Sequence, residues 1–487
     1  MNFSIPTEVA HVTESLEKAG FEAFLVGGCV RDLILNKSPK DWDVTTNAKP
    51  EDIIAIFNKT YYENSFGTVA VVNEEVEDET LKVIEITPYR VEGAYTDNRH
   101  PDIVSFSEKL EDDIKRRDFT MNSIAYSESK GEFVDLFNGE ADIKAKVIRT
   151  VGDPKARFAE DGLRILRAVR FLAELGFEIE PETEKAILES GYLLKNISTE
   201  RIRDEFTKLI MSENPMTGLL ALKKLHLLKY IVPELEETIG IDQKGVHIYD
   251  VWEHLLRSVQ HAADKNYPLE IRLSALFHDI SKPATRRKGT NKAWTFYGHE
   301  VVGARVTKKI LENLKYPTKV VEKVTKMVRW HMFFSDTQQI SLSAVRRMIV
   351  NVGRENIWDL MNLRICDRIG SGRPKEDPYR LRKYHSMIEE ALRDPISVGM
   401  LKIDGKKIME VTGIAPGPKI GFTLHALLEE VLEEPSKNTA EYLEDKAKEL
   451  VKMPENELRA LGEKGKMTKE ELDDEEIKKL RSKHKVK

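Results

Sequence analysis

The chain has 487 residues, of which 41% are hydrophobic and 32% charged, so it is too long for one ordinary core and apolar enough for several. Its 76 basic and 82 acidic residues leave a net charge of −6, which gives no global positive field for nucleic acid, and its two cysteines, Cys29 and Cys366, exclude a disulfide framework and a cysteine-built zinc site. No stretch is apolar enough to cross a bilayer and the opening "MNFSIPTEVAHV" has no signal-peptide pattern, so a soluble, cytoplasmic protein that does not engage a membrane is expected.

In chain order, "TEVAHVTESLEKAG" reads as an amphipathic helix closed by Gly20, and "EAFLVGG" as a short strand running into a glycine turn. "TVAVVNEE" and "LKVIEITPYR" are further strands. Beyond about residue 151 strands become scarce. "EDGLRILRAVRFLAELGF" is expected as one helix, followed by helices in "ERIRDEFTKLIM", "TGLLALKKLHLLKYI", "YDVWEHLLRSVQHAADK" and "IRLSALFHDISK". The fold class is therefore α+β: an N-terminal head over 1–150, with a small mixed sheet and helices, then an all-α neck (151–240), body (241–375) and tail (376–487). Basic residues cluster in "IKAKVIRTVGDPKAR", "KKLHLLK" and "KKLRSKHKVK"; the last is read as a solvated tail, with "LRSKHKVK" disordered.

The head carries the first chemistry. Gly27 and Gly28 end a strand, where bare backbone approaches a phosphate closely and the helix that follows offers unpaired N–H groups. Arg31 adds a charge-assisted contact suited to a triphosphate. Asp41 and Asp43 in "DWDV" are two residues apart, so a strand aims both carboxylates at one face, where oxygen ligands suit divalent cations. Glu85 in "VIEITPYR" is a third carboxylate in an otherwise β-branched strand. Two metal ions there would activate an attacking hydroxyl and stabilise a leaving pyrophosphate.

"GGCVRD" with "DWDV" resembles the signature of the class II polymerase-beta-like nucleotidyltransferases, the family of tRNA CCA-adding enzymes and bacterial poly(A) polymerases. "RRDFTMNSIAY" resembles its ribose-recognition motif, "VDLFNGEADIKAKVIR" its head-to-neck hinge and "EDGLRILRAVRF" its nucleobase-selecting helix, all in the family's order over about residues 20–210. The resemblance implies a nucleotidyltransferase head using Mg2+ at Asp41, Asp43 and Glu85, an RNA-binding, base-selecting neck and a tRNA-binding tail. It implies CTP and ATP as substrates and the tRNA acceptor arm as partner.

Asp161, Arg164, Arg167 and Arg170 are spaced by three and form one polar stripe on a helix. Such a stripe is either a solvated or salt-bridged face, or a reader of base edges. Cytosine and adenine present an amino donor beside a ring-nitrogen acceptor, which a carboxylate and a guanidinium match. Guanine and uracil present a carbonyl instead, and an unpaired buried polar group costs about 1–3 kcal/mol. The resemblance gives the template role to Asp161 and Arg164, places Arg167 and Arg170 near the nucleotide, adds Arg117 as a nucleotide contact, and has Asp118 and Asn122 read the ribose hydroxyls.

"YRVEGAYTDNRHPDIVSF" reads as a mobile loop and resembles the flexible loop of enzymes that add the terminal A. "ENSFGTVAVV" also resembles the tRNA enzymes, although A-only and full CCA addition stay open at this point. A second constellation follows. His254, the adjacent His278 and Asp279, and Asp367, with His299 and His331 between them, resemble the HD superfamily of metal-dependent phosphohydrolases, which use a metal-activated water. The donor set suits several transition metals. The expected activity is template-independent CCA addition. The rivals are a poly(A) polymerase, an A-only enzyme, or an HD phosphohydrolase with an RNA-binding head; the oligomeric state is not read from the sequence.

Overall fold

The computed structural model describes residues 3–63, 67–92, 104–243, 248–288, 294–333 and 340–463. The chain forms two compact units, Met1–Ile231 and Val232–Lys487.

The first unit is built on a seven-stranded sheet: β1 (Ala23–Val26), β2 (Trp42–Thr46), β3 (Thr60–Glu63), β4 (Thr68–Val72), β5 (Val83–Pro88), β6 (Ile124–Ser127) and β7 (Glu132–Asp135). Their spatial order is β3-β4-β5-β2-β1-β6-β7. Only β2 and β5 run parallel; every other neighbouring pair is antiparallel. The alternation in "VIEITP" sets the faces: Ile84 and Ile86 are fully buried, whereas Val83 and Glu85 are exposed. In β2, Trp42 and Val44 are buried in the same way. Helix α1 (Thr7–Lys18) packs on β1 and β2 and buries Val9, Val12 and Leu16. Helix α2 (Gly28–Ile34) starts straight after Gly27, whose φ of 83° is a conformation that side chains disfavour. Gly139 opens a later helix, where a Cβ would lie 2.2 Å from the Thr120 carbonyl oxygen, so only glycine allows that approach.

Two helices of this unit position the site, α3 (Leu163–Leu175) and α4 (Thr199–Met211), which pack on each other. The helix expected to run unbroken through "EDGLRILRAVRF" is interrupted. One helix ends at Glu160, Asp161 is extended (φ −143°, ψ 104°), and α3 begins at Leu163. The Asp161 carboxylate accepts from the Leu163 backbone N–H at 3.0 Å, a local bond that competes with continued helix. Asp161 is therefore not on the arginine stripe, which starts at Arg164.

The α+β head followed by helices is the architecture observed; strands after residue 151 are two-residue pairs. Residues 1–231 share one unit, and Arg167 of α3 bonds Asp118 across the expected head–neck boundary. In the second unit, α5 (Val251–Asp264) packs on α6 (Leu269–Phe277) and α9 (Ile357–Gly370), and α7 (His299–Asn313) packs on α8 (Thr318–Trp330). Helices Pro418–Glu433 and Ala440–Leu450 follow. Among the described residues no helix is long and apolar enough to cross a membrane. The expected mobile loop lies largely outside the described residues, as does the "LRSKHKVK" tail.

Candidate functional sites

In the head the sheet register does the positioning. β2 and β5 pair so that Asp43 stands opposite Glu85, and parallel partners send side chains to the same face. Asp41 lies two residues before Asp43, just ahead of β2, which begins at Trp42. The small, buried Ala70 faces Glu85 from β4. A Cβ on Gly27 would sit 3.3 Å from both Arg117 Nη1 and Asp43 Oδ2, a tight approach at a backbone whose positive φ already disfavours side chains. Burial pushes the Asp43 carboxyl up, opposed by Arg117 and assisted by Asp41. Asp43 and Glu85 share a face, and the three head carboxylates form no tight ligand group among the described residues. Among the described residues, the groups whose ligand atoms lie within 4.8 Å of one another are both in the second unit.

Arg117 is held by Asp113, Nη2 to Oδ2 at 2.9 Å, while its buried Nε has no hydrogen-bond partner among the described residues. Asp113 is fully buried and also accepts from Thr45 Oγ1 of β2 at 3.2 Å and from Arg116 Nε at 2.8 Å. Burial would raise its carboxyl, but Arg117 and Arg116 hold it below the usual range.

Arg31 is buried and committed within the protein: it donates to Asp32 Oδ1 (2.7 and 2.9 Å) and to Asn122 Oδ1 (2.9 Å). Asn122 in turn donates to Asp118 Oδ1 at 3.2 Å. Asp118 Oδ2 accepts from Arg167 Nε at 2.7 Å and pairs with Nη2 at 2.6 Å. Burial alone would raise the Asp118 carboxyl, but Arg167 outweighs it and holds the group at about 2. Arg170 Nε bonds Glu205 Oε2 at 2.6 Å, both side chains being buried, and its guanidinium lies 4.0 Å over the Phe171 ring. Arg164 donates to the carbonyls of Arg157 (3.0 Å) and Arg116 (3.1 Å) and pairs with Glu160. Asp161 is gripped by Arg201 of α4, Nη1 to Oδ1 at 3.1 Å and Nη2 to Oδ2 at 2.7 Å.

The arginine stripe is thus neither solvated nor free; it is hydrogen-bonded through its length. Sequence reading missed Arg201, Glu205 and Asp113. The first two are four apart in "ERIRDEF", the spacing of one helix face, which is the signal that could have found them.

In the second unit, all four expected ligands converge, with His299 and His331 beside them. His254 Nε2 lies 2.9 Å from His278 Nε2, 3.2 Å from Asp279 Oδ2 and 3.5 Å from Asp367 Oδ1. The other Asp279 oxygen, Oδ1, lies 3.1 Å from His299 Nε2 and 3.7 Å from His331 Nε2. Ligand atoms fall into two groups, His254–His278–Asp367 and Asp279–His299–His331, and the Asp279 carboxylate faces both. His278, His299 and His331 each set Nδ1 against the carbonyl three residues earlier, at 2.9, 2.8 and 2.7 Å. With each Nδ1 against a carbonyl, Nε2 is the atom turned into the cluster, the outer-shell arrangement of metal-ligating imidazole. Lys282 Nζ at 2.5 Å from Asp279 and Arg364 Nη1 at 2.7 Å from Asp367 supply positive charge. Burial would lower the His278 imidazole, but Asp279 and Asp367 raise it to about 9, whereas burial lowers His331.

Residues 23–149 match the poly A polymerase head domain, 176–239 the probable RNA- and SrmB-binding site of polymerase A, and 251–368 the HD domain. A CCA-adding enzyme of Leuconostoc citreum is 46% identical over 238 residues, covering 48% of this chain and 57% of the relative. One from Lactobacillus helveticus is 48% identical over 199 residues, 41% of this chain and 48% of the relative. The chain spans about half the length of the curated relatives it matches. The crystal structure of a Bacillus stearothermophilus CCA-adding enzyme in complex with CTP superimposes with a TM-score of 0.70 at 27% identity, covering 92% of this chain and 98% of that one. Fold and motifs define a polymerase-type head joined to an RNA-binding region and an HD domain. The chain's matched segments are similar to the poly A polymerase head and HD domain models and, over about half their length, to CCA-adding enzymes.

The Asp118–Arg167 pair predicts an acid-side stability dependence. A carboxyl lowered from 3.8 to about 2 stabilises the folded state above the unfolded value and loses that contribution as pH falls towards 2. The stability gap between wild type and Asp118→Asn in the first unit should therefore shrink by about 2 kcal/mol between pH 5 and pH 2. Denaturant unfolding followed across that range measures it; a pH-independent gap contradicts the pairing.

Proposed function

We propose that the chain adds cytidine, cytidine and adenosine to the 3′ end of tRNA from CTP and ATP, without a nucleic-acid template and with release of pyrophosphate. The observation that carries this reading is the pairing of Asp43 with Glu85 across two parallel strands, next to the side-chain-free backbone of Gly27 and the Arg117 guanidinium. Asp41, Asp43 and Glu85 are the residues to hold Mg2+, since an all-oxygen donor set on one face suits a hard cation. Bound ions would neutralise charge developing on the phosphates. Gly27, Gly28 and Arg117 receive the triphosphate; the buried, unpartnered Arg117 Nε gives that guanidinium a donor to spare. The RNA 3′-hydroxyl oxygen bonds to the α-phosphorus, the bond to pyrophosphate breaks, and the hydroxyl proton passes to water.

Base choice falls to Asp161 as acceptor and Arg164 as donor. Arg201 and Glu160 fix these two side chains in place, so the edge they offer is set before a base arrives. Asp118 and Asn122 read the ribose, while Arg167 and Arg170, with Arg31, hold the wall around them. The helical regions hold the acceptor arm by the shape of its duplex.

The test uses tRNAs ending before C, after C and after CC, each incubated with one labelled nucleotide. Two CMP and one AMP are expected, then arrest. Repeated AMP addition would establish a poly(A) polymerase, and addition of AMP only to the CC end an A-only enzyme. Folded Asp41→Ala and Asp43→Ala should each lose activity by roughly 100-fold or more, and near-normal rates would remove the carboxylate reading.

A second reading is favoured by two adjacent ligand groups, with Asp279 of one lying 3.2 Å from His254 of the other: the second unit hydrolyses a phosphate ester. His254, His278, Asp279 and Asp367 are the residues to hold a transition metal, with His299 and His331 beside them. Such an ion supplies Lewis acidity for attack by water on phosphorus as the ester bond breaks. Metal analysis of the purified chain should find a transition metal retained in Asp41→Ala and lost in the His278→Ala, Asp279→Ala double variant. No metal in the native and metal-soaked protein would make the region a scaffold.

A further inference from the structure

A cavity of about 770 Å³ opens onto the histidine–aspartate cluster of the second unit, within the usual range for small-ligand sites. Asp279, His299, His331 and Asp367 line one part of it, and Arg364, Arg368, Arg373 and Arg380 another. Arg364 is matched by Asp367 at 2.7 Å. Arg368 donates from Nε to the neutral Lys375 carbonyl at 2.6 Å. Among the described residues, Arg368, Arg373 and Arg380 form no ion pair with a carboxylate. Arg364, Arg368, Arg373 and Arg380 crowd like charge around one space. A bound anion relieves that repulsion, and guanidinium forks fit phosphate oxygens. The cavity also carries aromatic faces, Phe296 and Tyr379, the latter 69% exposed. Exposed aromatic rings next to arginines are the surfaces on which bases stack.

We propose that this cavity binds a nucleotide carrying two phosphate groups, one presented to the histidine–aspartate cluster and the second held by Arg368, Arg373 and Arg380, with its base on Tyr379. The first placement rests on the phosphohydrolase reading; the preference for a second phosphate rests on the arginines alone. A single phosphate at the cluster leaves three guanidiniums facing one another. A free nucleoside bisphosphate and an RNA end with a 3′-phosphate share the required chemistry, the second phosphate coming from the nucleotide in one and the phosphodiester in the other.

Calorimetry on the full chain, freed of metal by chelation, tests this with guanosine 5′-monophosphate, guanosine 3′,5′-bisphosphate and the dinucleotide UpGp ending in a 3′-phosphate. Guanosine is chosen because its base edge mismatches the acceptor and donor proposed for the head. The better of the two doubly charged ligands should bind at least about tenfold more tightly than the monophosphate. Whichever is tighter identifies the source. In Arg373→Ala, Arg380→Ala, with circular dichroism unchanged, that ratio should fall below about threefold. Tyr379→Ala should weaken the bisphosphate by about tenfold. Equal binding of the singly and doubly phosphorylated ligands, or a ratio that survives loss of both arginines, overturns the proposal. Metal content before chelation reports separately on the hydrolase reading.

Discussion

The parallel pairing of β2 with β5 is the constraint on which the head depends. It is the only parallel contact in the seven-stranded sheet, and its register sets Asp43 directly across from Glu85. A slip of one residue would turn Glu85 into the apolar layer and bring Ile84 or Ile86 out. The core prevents that slip, because Trp42, Val44, Ile84 and Ile86 are buried on the opposite side of the same two strands. Chemistry and packing are therefore written into the same alternation. The hydrophobic face specifies where the carboxylates point.

Around this sheet the polar groups form a connected system. Asp113 ties Thr45 of β2 to Arg117, and Asn122 ties Arg31 to Asp118. Asp118 engages Arg167 of α3, while Arg170, one turn further along, engages Glu205 of α4. Buried ion pairs add little net stability, but removing one partner strands the other and costs about 3–5 kcal/mol. Such a network fixes geometry more than it adds stability. It accounts for the inclusion of α3 and α4 in the same compact unit as the sheet.

Much of this was legible in the sequence because it is local. Strand alternation and the glycine turn need only neighbours, and they placed Gly27 in a turn and Asp43 in a strand, whereas Asp41 falls just before that strand, which begins at Trp42. The convergence of His254, His278, Asp279 and Asp367 was implied by the resemblance of their order to the HD superfamily. Three-residue periodicity failed at Asp161, where a side-chain bond to Leu163 N–H ends one helix before the next begins. The partners of the arginine stripe were also invisible, since Arg201 and Glu205 arrive from a helix about 35 residues later and only packing selects them. Exposure misled in the same way: Arg31 reads as a free cation beside a glycine turn, yet the fold buries it against Asn122.

The account stands most directly on whether the paired strands hold metal with the nucleotide. Crystals of the full chain grown with Mn2+ and a non-hydrolysable CTP analogue, measured at the manganese absorption edge, would locate the ions. The account predicts an anomalous peak touching Asp41 and Asp43, with the triphosphate against Gly27 and Arg117. A bound nucleotide with no manganese at those carboxylates would contradict it.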